Sequence, residues 1–448
     1  MRKLSKLLLI VPIIVVLSAC GASPEQNEYY GQAGAYQDVE TTQDEPTVAS
    51  PTVPTQEAEP LYEPSEALSE APFEEPSEEP VITSIHSTTV YPWRIRIDGN
   101  YFVVGDDNPQ RIWINGVNTP WNHWNDFSGN NFDYEWWDRH FAALRANGVN
   151  ASRVWISCTN NYGRGNQHGQ VPIFDIDENG MISGISERHW EHLDSFFGIA
   201  ERHGIYIMAT LLSFDHFRYN EWHNRDPYRW RKMLQSEETI NAFIEHYTIP
   251  FVERYRDNPF LWSIDLMNEP DWVYEEHGHI LWEDISLFFA RNTAAIRQNS
   301  DILVTVGMAF SKYNSDYLNE GYEGNKISDA FLQSLYNNPY AALDFWSPHY
   351  YDWVGQWFGH PFTSSPFGQR SAGGWGLCPS KPALIGETSG HGTAGFTLIE
   401  DYINAFNNGW QGVMAWTSNG VDDHGNFEDI ILATNYFATL HPGLVFPS

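Results

Sequence analysis

Short apolar runs rich in β-branched and aromatic residues recur through most of this chain, and segments with helical periodicity separate them. Runs of this length and composition, bounded by polar or turn-forming residues, are typical of buried strands in a parallel sheet. Eight such runs lie at residues 112–117, 151–156, 206–212, 261–267, 302–309, 345–351, 383–385 and 413–416. A β-hairpin is predicted before the first run, at residues 94–104.

Helical patterns fill the intervals between these runs, for example at residues 134–146, 187–202, 237–256 and 281–297. Two of them end in the stop signals Asn147-Gly148 and His203-Gly204, and the next strand follows at once. Eight strand and helix units of this kind predict an α/β fold, a (β/α)₈ barrel with long loops on one face. A doubly wound open sheet is the structural alternative.

Two glutamates each follow an apolar run: Glu269 in the segment LMNEP and Glu387 in the segment LIGET. They lie 118 positions apart, which corresponds to three units of roughly 40 residues and places them on the fourth and seventh strands. The carboxyl ends of barrel strands share one face, so the two carboxylates are expected to converge there. Paired carboxylates of this kind are typical of glycosidases.

At these positions the chain resembles glycoside hydrolase family 5, of the retaining glycosidase clan A, and in particular its bacterial endo-β-1,4-mannanases and cellulases. The likeness covers residues 90–440. In that family an Asn-Glu-Pro segment supplies the acid/base, which here is Glu269, and Glu387 matches the nucleophile that forms a covalent glycosyl-enzyme. The resemblance implies carboxyl groups roughly 5 Å apart and hydrolysis with retention.

The resemblance also implies supporting roles for five other residues. Asn268 matches the residue that hydrogen-bonds the sugar 2-hydroxyl. Arg153, in SRVW, matches a strand 2 arginine whose charge would lower the pKa of the nucleophile. His349 and Tyr351, in SPHYY, match a His-x-Tyr pattern whose tyrosine hydrogen-bonds the nucleophile. Trp416, in AWTS, matches the platform beneath the sugar at the cleavage point.

The proposed chemistry needs different protonation states at the two glutamates. Glu269 must hold a proton near neutrality, so a raised pKa is expected, with the charge of Glu387 as its cause. His216 follows the predicted third strand, where the family often places a histidine that contacts sugar. We recognise no complete set of metal ligands and predict no metal or cofactor.

The nineteen tryptophans are many for a chain of 448 residues, and several fall in predicted loops. Indole rings stack on the apolar faces of sugars, so these residues predict an extended cleft and an endo-acting enzyme. We assign Trp121, Trp272 and Trp353 to substrate binding. The other loop tryptophans are Trp124, Trp222, Trp230, Trp357 and Trp375.

Residues 1–20 have the pattern of a processed signal. Three basic residues precede an apolar run at 7–17, which ends in LSAC and resembles the lipobox of bacterial lipoproteins. The resemblance implies lipidation of Cys20. The run is shorter than the roughly 20 residues that span a bilayer, although an uncleaved anchor is an alternative. Both interpretations place the following domain outside the cytoplasm, at the membrane surface of a bacterium.

Residues 21–84 are predicted to be a disordered acidic tether, and residues 85–448 a single catalytic domain. Within 21–80 there are nine prolines and fifteen acidic residues but no Lys or Arg, so the segment cannot bury enough apolar surface to fold. After Cys20, the cysteines are Cys158 and Cys378, which lie near strands 2 and 7. These strands are not neighbours, so a disulfide between them is not expected.

The formal net charge of −33 opposes binding to nucleic acid, which requires a basic surface. We predict a monomeric enzyme whose partners are a polysaccharide and, through the lipid, a membrane. Its predicted activity is hydrolysis of internal β-1,4 linkages, with mannan as the first substrate. The alternatives are a β-1,4-glucanase or β-glycosidase of the same family and, from another class, a glycan-binding lipoprotein without catalytic activity.

Overall fold

The structure of the protein is a computed structural model. It describes residues 93–123, 126–127, 132–157, 172–218, 227–277, 280–316, 323–353, 365–368 and 370–447. The predicted signal at 1–20 with Cys20, the predicted tether at 21–84, and residues Cys158, Trp124, Trp222 and Trp357 all lie outside the described residues. The boundary of the catalytic domain at 85 lies outside them as well.

The described part of the chain contains thirteen strands and twelve α-helices. The strands are β1 (Arg96–Asp98), β2 (Tyr101–Val104), β3 (Gln110–Ile112), β4 (Ile114–Asn118), β5 (Ala151–Trp155), β6 (Phe174–Ile176), β7 (Ile182–Ile185), β8 (Tyr206–Ser213), β9 (Leu261–Asn268), β10 (Leu303–Met308), β11 (Ser347–Tyr350), β12 (Ile385–Ser389) and β13 (Gly412–Trp416). The helices are α1 (Tyr134–Ala146), α2 (Glu187–His203), α3 (Pro227–Leu234), α4 (Glu237–Phe243), α5 (Ile249–Tyr255), α6 (Asp271–Glu275), α7 (Trp282–Asn299), α8 (Ser311–Asn314), α9 (Asp329–Leu335), α10 (Leu398–Asn407), α11 (Phe427–Leu440) and α12 (Pro442–Val445).

Eight parallel strands form a closed barrel, in the order β4, β5, β8, β9, β10, β11, β12 and β13. The last strand pairs with the first, with Gly412 opposite Ile114 and Val413 opposite Asn115. This closure confirms the predicted (β/α)₈ barrel and rules out the doubly wound open sheet. Most residues of the barrel strands are buried, as expected where helices cover the outside and side chains fill the inside.

One end of the barrel is closed by the antiparallel sheet of β1, β2 and β3. Phe102 of β2 packs edge-on against Trp262, near the start of β9, with ring centroids 5.3 Å apart. The same ring lies 5.2 Å from Phe345, which precedes β11. These contacts cover the amino ends of the barrel strands, so the predicted site lies at the opposite, carboxyl ends.

The predicted hairpin at 94–104 is confirmed by the antiparallel pairing of β1 with β2. Some predicted element bounds were wrong in detail. Gln110–Ile112 pairs with β2 as the third strand of this sheet. The first barrel strand therefore starts at Ile114, not at residue 112. The predicted helix at 237–256 consists of α4 and α5 joined by a π turn at Ile244–Thr248. Pro250 follows this turn and cannot donate a backbone hydrogen bond, which favours the wider local geometry.

None of the described helices is long and apolar enough to cross a membrane.

Candidate active site

The two glutamates predicted from the sequence lie side by side at the carboxyl ends of the barrel strands. Glu387 is the third residue of β12, and Glu269 directly follows the last residue of β9. Both are buried, and an oxygen of one carboxyl group lies within 4.8 Å of an oxygen of the other. Carboxyl groups lie about 5 Å apart in retaining glycosidases and roughly 6.5–9.5 Å apart in inverting ones. The pair thus has the geometry of a retaining site.

The chain turns sharply at Glu269. Its φ is 50°, in the left-handed region that non-glycine residues rarely adopt. The backbone N–H of Glu269 donates a 2.8 Å hydrogen bond to the carbonyl of Gly307 on the neighbouring strand β10. Such a conformation costs on the order of 1–3 kcal/mol and persists where the surrounding structure holds it. The strain lies at the residue predicted to be the acid/base.

Arg153 of β5 is fully buried and joins four barrel strands. Its Nη1 donates to Oε1 of Glu387 at 2.5 Å, while Nε and Nη2 donate to Oδ2 of Asp265 at 3.0 and 2.6 Å. Nη2 also donates to Asn268 Oδ1 at 2.9 Å, and Nη1 to Asn118 Oδ1 at 3.2 Å. A single guanidinium therefore fixes side chains from β4, β9 and β12 relative to β5.

His349 and Tyr351 extend from the end of β11 toward the two glutamates. The hydroxyl of Tyr351 donates to Oε2 of Glu387 at 2.9 Å, as the resemblance implied. Nδ1 of His349 lies 2.8 Å from Oε1 of Glu269 and 3.5 Å from Oε2 of Glu387. Burial lowers the pKa of His349 to about 4, so the ring is neutral near pH 7. It can then bond with only one of the two carboxyl groups at a time through Nδ1.

Burial is the main influence on the protonation of both carboxyl groups. It raises the pKa of Glu269 to about 7, and Arg153 and a hydrogen bond from Trp272 oppose the rise. The raised pKa agrees with the prediction, but its main cause is burial and not the charge of Glu387. Burial also raises the pKa of Glu387, with His349 and Arg153 acting against it. The predicted lowering of this pKa by Arg153 is present, but the effect of burial is larger, so the net shift at Glu387 is upward.

Contact with the charged Arg153 nevertheless distinguishes the carboxyl group of Glu387 from that of Glu269. Although burial alone would lower it, Asp265 and Glu387 raise the pKa of Arg153, so the guanidinium keeps its charge. Glu387 accepts a charge-assisted hydrogen bond from this cation and a second bond from the phenol of Tyr351. Hydrogen bonds of this kind favour the ionised form, so Glu387 is the better candidate for the carboxylate.

Two glycines leave room for this arrangement. A Cβ at Gly307 would lie 2.7 Å from Nη2 of Arg153 and 2.8 Å from Nε2 of His349. A Cβ at Gly386 would lie 2.3 Å from Oγ of Ser347 and 3.1 Å from Cδ2 of His349. Real Cβ atoms do not approach other atoms this closely, so both positions require glycine for Arg153, Ser347 and His349 to keep their places.

Trp416, predicted as the sugar platform, belongs to an aromatic cluster next to Glu387. Its ring centroid lies 5.3 Å from that of Trp155 and 6.3 Å from that of Trp121. Tyr351 packs in the same cluster. The indole N–H of Trp416 donates to Oδ2 of Asp422 at 2.7 Å, which fixes the plane of the ring. The structure thus brings Trp121 and Trp416 together at the site.

Trp272 and Trp353 lie on the side of Glu269. Trp353 is half-buried, and its ring is nearly parallel to that of Tyr351, at an interplanar angle of 13°. Trp272 is only 3% exposed, and its indole Nε1 donates to Oε2 of Glu269 at 3.1 Å. Trp272 therefore contacts the predicted acid/base itself. Of the other predicted loop tryptophans, Trp375 is buried, and Trp230 is fully buried within α3, where a loop had been predicted.

His216 lies in the short turn after β8, where its ring packs edge-on against Trp230 with centroids 4.8 Å apart. Its Nδ1 lies 3.0 Å from the carbonyl oxygen of Ser213. These contacts place the side chain beside the third barrel strand and not between the two glutamates. Its neighbour Asp215 has an electrostatic effect on Glu269, whose pKa it raises.

Asp265 and Asn118 also lie in the candidate site, although neither was predicted from the sequence. Asp265 accepts bonds from Arg153, from Thr210 Oγ1 at 3.1 Å and from the backbone N–H of Gly307 at 2.9 Å. The side-chain amide of Asn118 donates to the carbonyl of Gly386 at 3.0 Å, next to Glu387. A signal for Asp265 was present, because a charged residue inside the apolar run at 261–267 must find a partner when the strand is buried.

Glu269, His349 and Glu387 are also a group that could hold a metal ion, since one donor atom from each lies within 4.8 Å of the others. Arg153 already places a positive charge on Glu387, and Trp272 donates to Glu269. A cation at this position would have to share these carboxylates with two existing donors. The donor set is thus less suited to a metal than to a sugar.

Comparisons with known proteins agree with the barrel and its site. No protein-family model matches the chain. A mannan endo-1,4-β-mannosidase of Mytilus edulis is 24% identical over 340 residues, which span 70% of this chain and 86% of that protein. A second mannan endo-1,4-β-mannosidase, of Cryptopygus antarcticus, is 22% identical over 73% of this chain and 85% of its own length.

Solved structures show the same architecture. The β-mannanase of Mytilus edulis superposes with a TM-score of 0.63 at 22% identity, over 78% of this chain and 97% of that one. The β-1,4-mannanase of the sea hare Aplysia kurodai also has a TM-score of 0.63, at 21% identity, over 77% and 96% of the two chains. The chain is related to glycoside hydrolase family 5. At these identities, the structural likeness on its own establishes the (β/α)₈ fold.

Proposed function

We propose that this protein is a retaining endo-acting glycoside hydrolase that cleaves the β-1,4 linkages of mannan. The observation that carries the proposal is the buried pair of Glu269 and Glu387, with carboxyl oxygens within 4.8 Å of each other at the carboxyl ends of β9 and β12. A protein that only bound glycans would have no use for an acid and a nucleophile at this separation.

In the first step, a carboxylate oxygen of Glu387 attacks the anomeric carbon and forms an ester bond to the sugar. The glycosidic bond breaks at the same time, and the proton of Glu269 passes to the departing oxygen. Arg153 and Tyr351 hold Glu387 in place for the attack. The pKa of Glu269, raised by burial to about 7, keeps that proton available in the resting enzyme.

In the second step, Glu269 acts as a base. A water molecule transfers a proton to the Glu269 carboxylate, and its oxygen attacks the anomeric carbon. The ester bond to Glu387 breaks, which returns both residues to their starting states and releases a sugar of the original configuration. Each half-reaction therefore uses the same two side chains in reversed roles.

Asn268 supplies a donor for the bound sugar. Its side-chain oxygen accepts a bond from Arg153, and its buried Nδ2 has no hydrogen-bond partner among the described residues. A buried donor without a partner is costly, and a sugar hydroxyl next to the reacting carbon would satisfy it. Because the amide is already fixed by Arg153, the donor is oriented before substrate arrives.

The relatives favour mannan over glucan as the substrate, since both sequence relatives carry the name mannan endo-1,4-β-mannosidase. The test is a product profile on mannan, glucomannan, carboxymethylcellulose and xylan, in the presence and absence of a chelator. We expect oligosaccharides from the two mannans regardless of the chelator. Release of monosaccharide alone would contradict endo action, and turnover only of carboxymethylcellulose would contradict mannan as the substrate.

Glu387→Ala tests the catalytic assignment. We expect turnover to fall by at least about a thousandfold, with binding of mannan oligosaccharides retained, because the covalent step loses its nucleophile. Glu253→Ala is the matched control, since Glu253 is an exposed glutamate of α5. If Glu387→Ala and Glu253→Ala release sugar at the same rate, the protein is not a hydrolase of this type.

We further propose that the enzyme is a monomer held at the outer face of a bacterial membrane by a lipid on Cys20, with residues 21–84 as the tether. The LSAC segment and the acidic, proline-rich composition after it support this arrangement. In a bacterial host, labelled fatty acid should be incorporated into the full chain but not into Cys20→Ala. An unlabelled full chain, or an equally labelled variant, would contradict the anchor.

A further inference from the structure

The indole of Trp272 is held against Glu269 by more than one contact. Trp272 lies in α6, which begins two residues after Glu269, and its backbone N–H donates to the Glu269 carbonyl at 3.2 Å. The ring packs edge-on against Phe310, with centroids 4.8 Å apart, and lies 5.9 Å from Trp353. The position of the indole is therefore fixed independently of its hydrogen bond to the carboxyl group.

The short helix α6 is itself tied to the barrel. The carboxyl group of Asp271 accepts hydrogen bonds from the backbone N–H groups of Ala309 at 3.0 Å and Phe310 at 3.2 Å, just past β10. Glu269 donates to Gly307 on the same strand. Glu269 and the helix that carries Trp272 are thus both attached to β10 and its following residues.

An indole N–H can only donate a hydrogen bond. The 3.1 Å bond from Trp272 Nε1 therefore requires Oε2 of Glu269 to act as the acceptor. In a protonated carboxyl group the carbonyl oxygen is the better acceptor, so the proton belongs on the other oxygen, Oε1. That oxygen lies 2.8 Å from Nδ1 of His349.

We infer that Trp272 is a positioning residue for acid catalysis: its indole N–H assigns the transferable proton of Glu269 to Oε1 and holds the carboxyl group in one orientation. This inference rests on the proposed function, in which Glu269 protonates the departing oxygen. Trp272 acts through Glu269, to whose carboxyl group its indole N–H is bonded.

The same hydrogen bond persists in the second step. After proton transfer, the Glu269 carboxylate still accepts from Trp272 at Oε2. The hydrogen bond from Trp272 lowers the pKa of Glu269 against the larger effect of burial. Loss of the indole N–H should therefore raise that pKa further and leave the carboxyl group free to rotate.

Trp272→Phe removes the N–H but keeps an aromatic ring between Phe310 and Trp353. The measured quantity is kcat/KM, which reports the first half-reaction, on mannan and on a 2,4-dinitrophenyl β-mannoside. The activated phenol leaves without protonation, whereas the sugar of mannan needs the acid. We expect a loss of roughly tenfold to a hundredfold on mannan, little change on the aryl substrate, and an alkaline limb moved to higher pH.

Trp113→Phe is the matched control. Trp113 is fully buried at the opposite end of the barrel, where its Nε1 donates to the carbonyl of Trp410 at 2.8 Å. We expect this variant to keep the wild-type ratio between the two substrates and the wild-type pH profile. Equal losses on both substrates in Trp272→Phe, with an unmoved alkaline limb, would show that Trp272 is only structural and would overturn the inference.

A second variant decides the question if Trp272→Phe does not fold. Benzothienylalanine at position 272 keeps the shape of the indole and replaces its N–H by sulfur. We therefore expect the same selective loss on mannan and the same shift of the alkaline limb.

The proposed substrate is tested separately by the unmodified chain. If that chain cleaves a different β-glycan, the comparison is repeated with the matching aryl glycoside, and if it cleaves none, both the function and the inference fail.

Discussion

Arg153 and Glu387 are joined by a 2.5 Å hydrogen bond between two fully or nearly fully buried side chains, although they lie on strands that are not neighbours in the barrel. The same guanidinium also donates two hydrogen bonds to Oδ2 of Asp265. Through this contact, the position and charge of Glu387 depend on strands far from it in the sequence.

Arg153→Lys should impair catalysis even though it conserves the charge. A lysine has one ammonium group and cannot reproduce the fork that contacts Glu387, Asp265 and Asn268 together. We expect kcat/KM on the polysaccharide to fall on the order of a hundredfold, with the melting temperature measured in parallel by calorimetry. A change of less than about twofold in a folded variant would mean that the guanidinium geometry is unimportant.

Asp265→Asn should lower stability because it leaves the buried guanidinium with one anionic partner instead of two. The loss of one member of a buried ion pair costs about 3 kcal/mol or more, measured here as the free energy of unfolding in urea. Asp194→Asn is the control, since Asp194 pairs with Arg254 at 2.5 Å on the surface. That exposed pair should contribute at most about 1 kcal/mol. Equal effects of the two variants would contradict the account of Arg153.

The pH dependence of kcat/KM should reflect the two carboxyl groups as a coupled pair. Activity requires a protonated Glu269, so it should fall as the pH rises through about 7. It also requires an ionised Glu387, whose pKa is raised by burial, so the acid limb should lie above that of an ordinary glutamate. The alkaline limb should appear on mannan but not on an activated aryl glycoside, whose phenol leaves without protonation. An alkaline limb that persists there would belong to a different group.

Gly307→Ala should damage both stability and activity. The added methyl group would lie within 3 Å of Arg153 and His349, neither of which can move without losing a partner. We expect a loss of about 1–3 kcal/mol in the free energy of unfolding, together with a lower kcat. Gly198→Ala, on the exposed side of α2, meets no atom within 4 Å and should be neutral or stabilising. Wild-type activity in Gly307→Ala would show that Arg153 and His349 can be displaced without loss of function.

Much of the barrel could be predicted because its strands are buried on both faces, so their apolar runs stand out between helical segments. The runs at 151–156 and 261–267 differ from β5 and β9 by one residue at one end. The start of the first barrel strand was missed because β3 and β4 are separated only by Trp113, without a turn-forming residue between them. A strand that changes sheet without a turn leaves no local signal in the sequence.

The site was predicted where strand position alone decides the outcome, as for Glu269 and Glu387. It was not predictable where side-chain orientation decides. As a tryptophan in a predicted loop, Trp272 was expected to stack on sugar. Its packing against Phe310 instead directs the indole N–H toward Glu269. Likewise, the net rise in the pKa of Glu387 depends on burial, which a sequence pattern does not measure.

In the proposed mechanism, Glu387 forms a covalent bond to the sugar. The most direct test is mass spectrometry of the protein after reaction with a 2-deoxy-2-fluoro-mannobiosyl fluoride, which slows release of the glycosyl-enzyme. We expect a single adduct with the mass of the fluorinated disaccharide, mapped by proteolysis to Glu387. An adduct on another residue, or no adduct while mannan is still hydrolysed, would contradict the account.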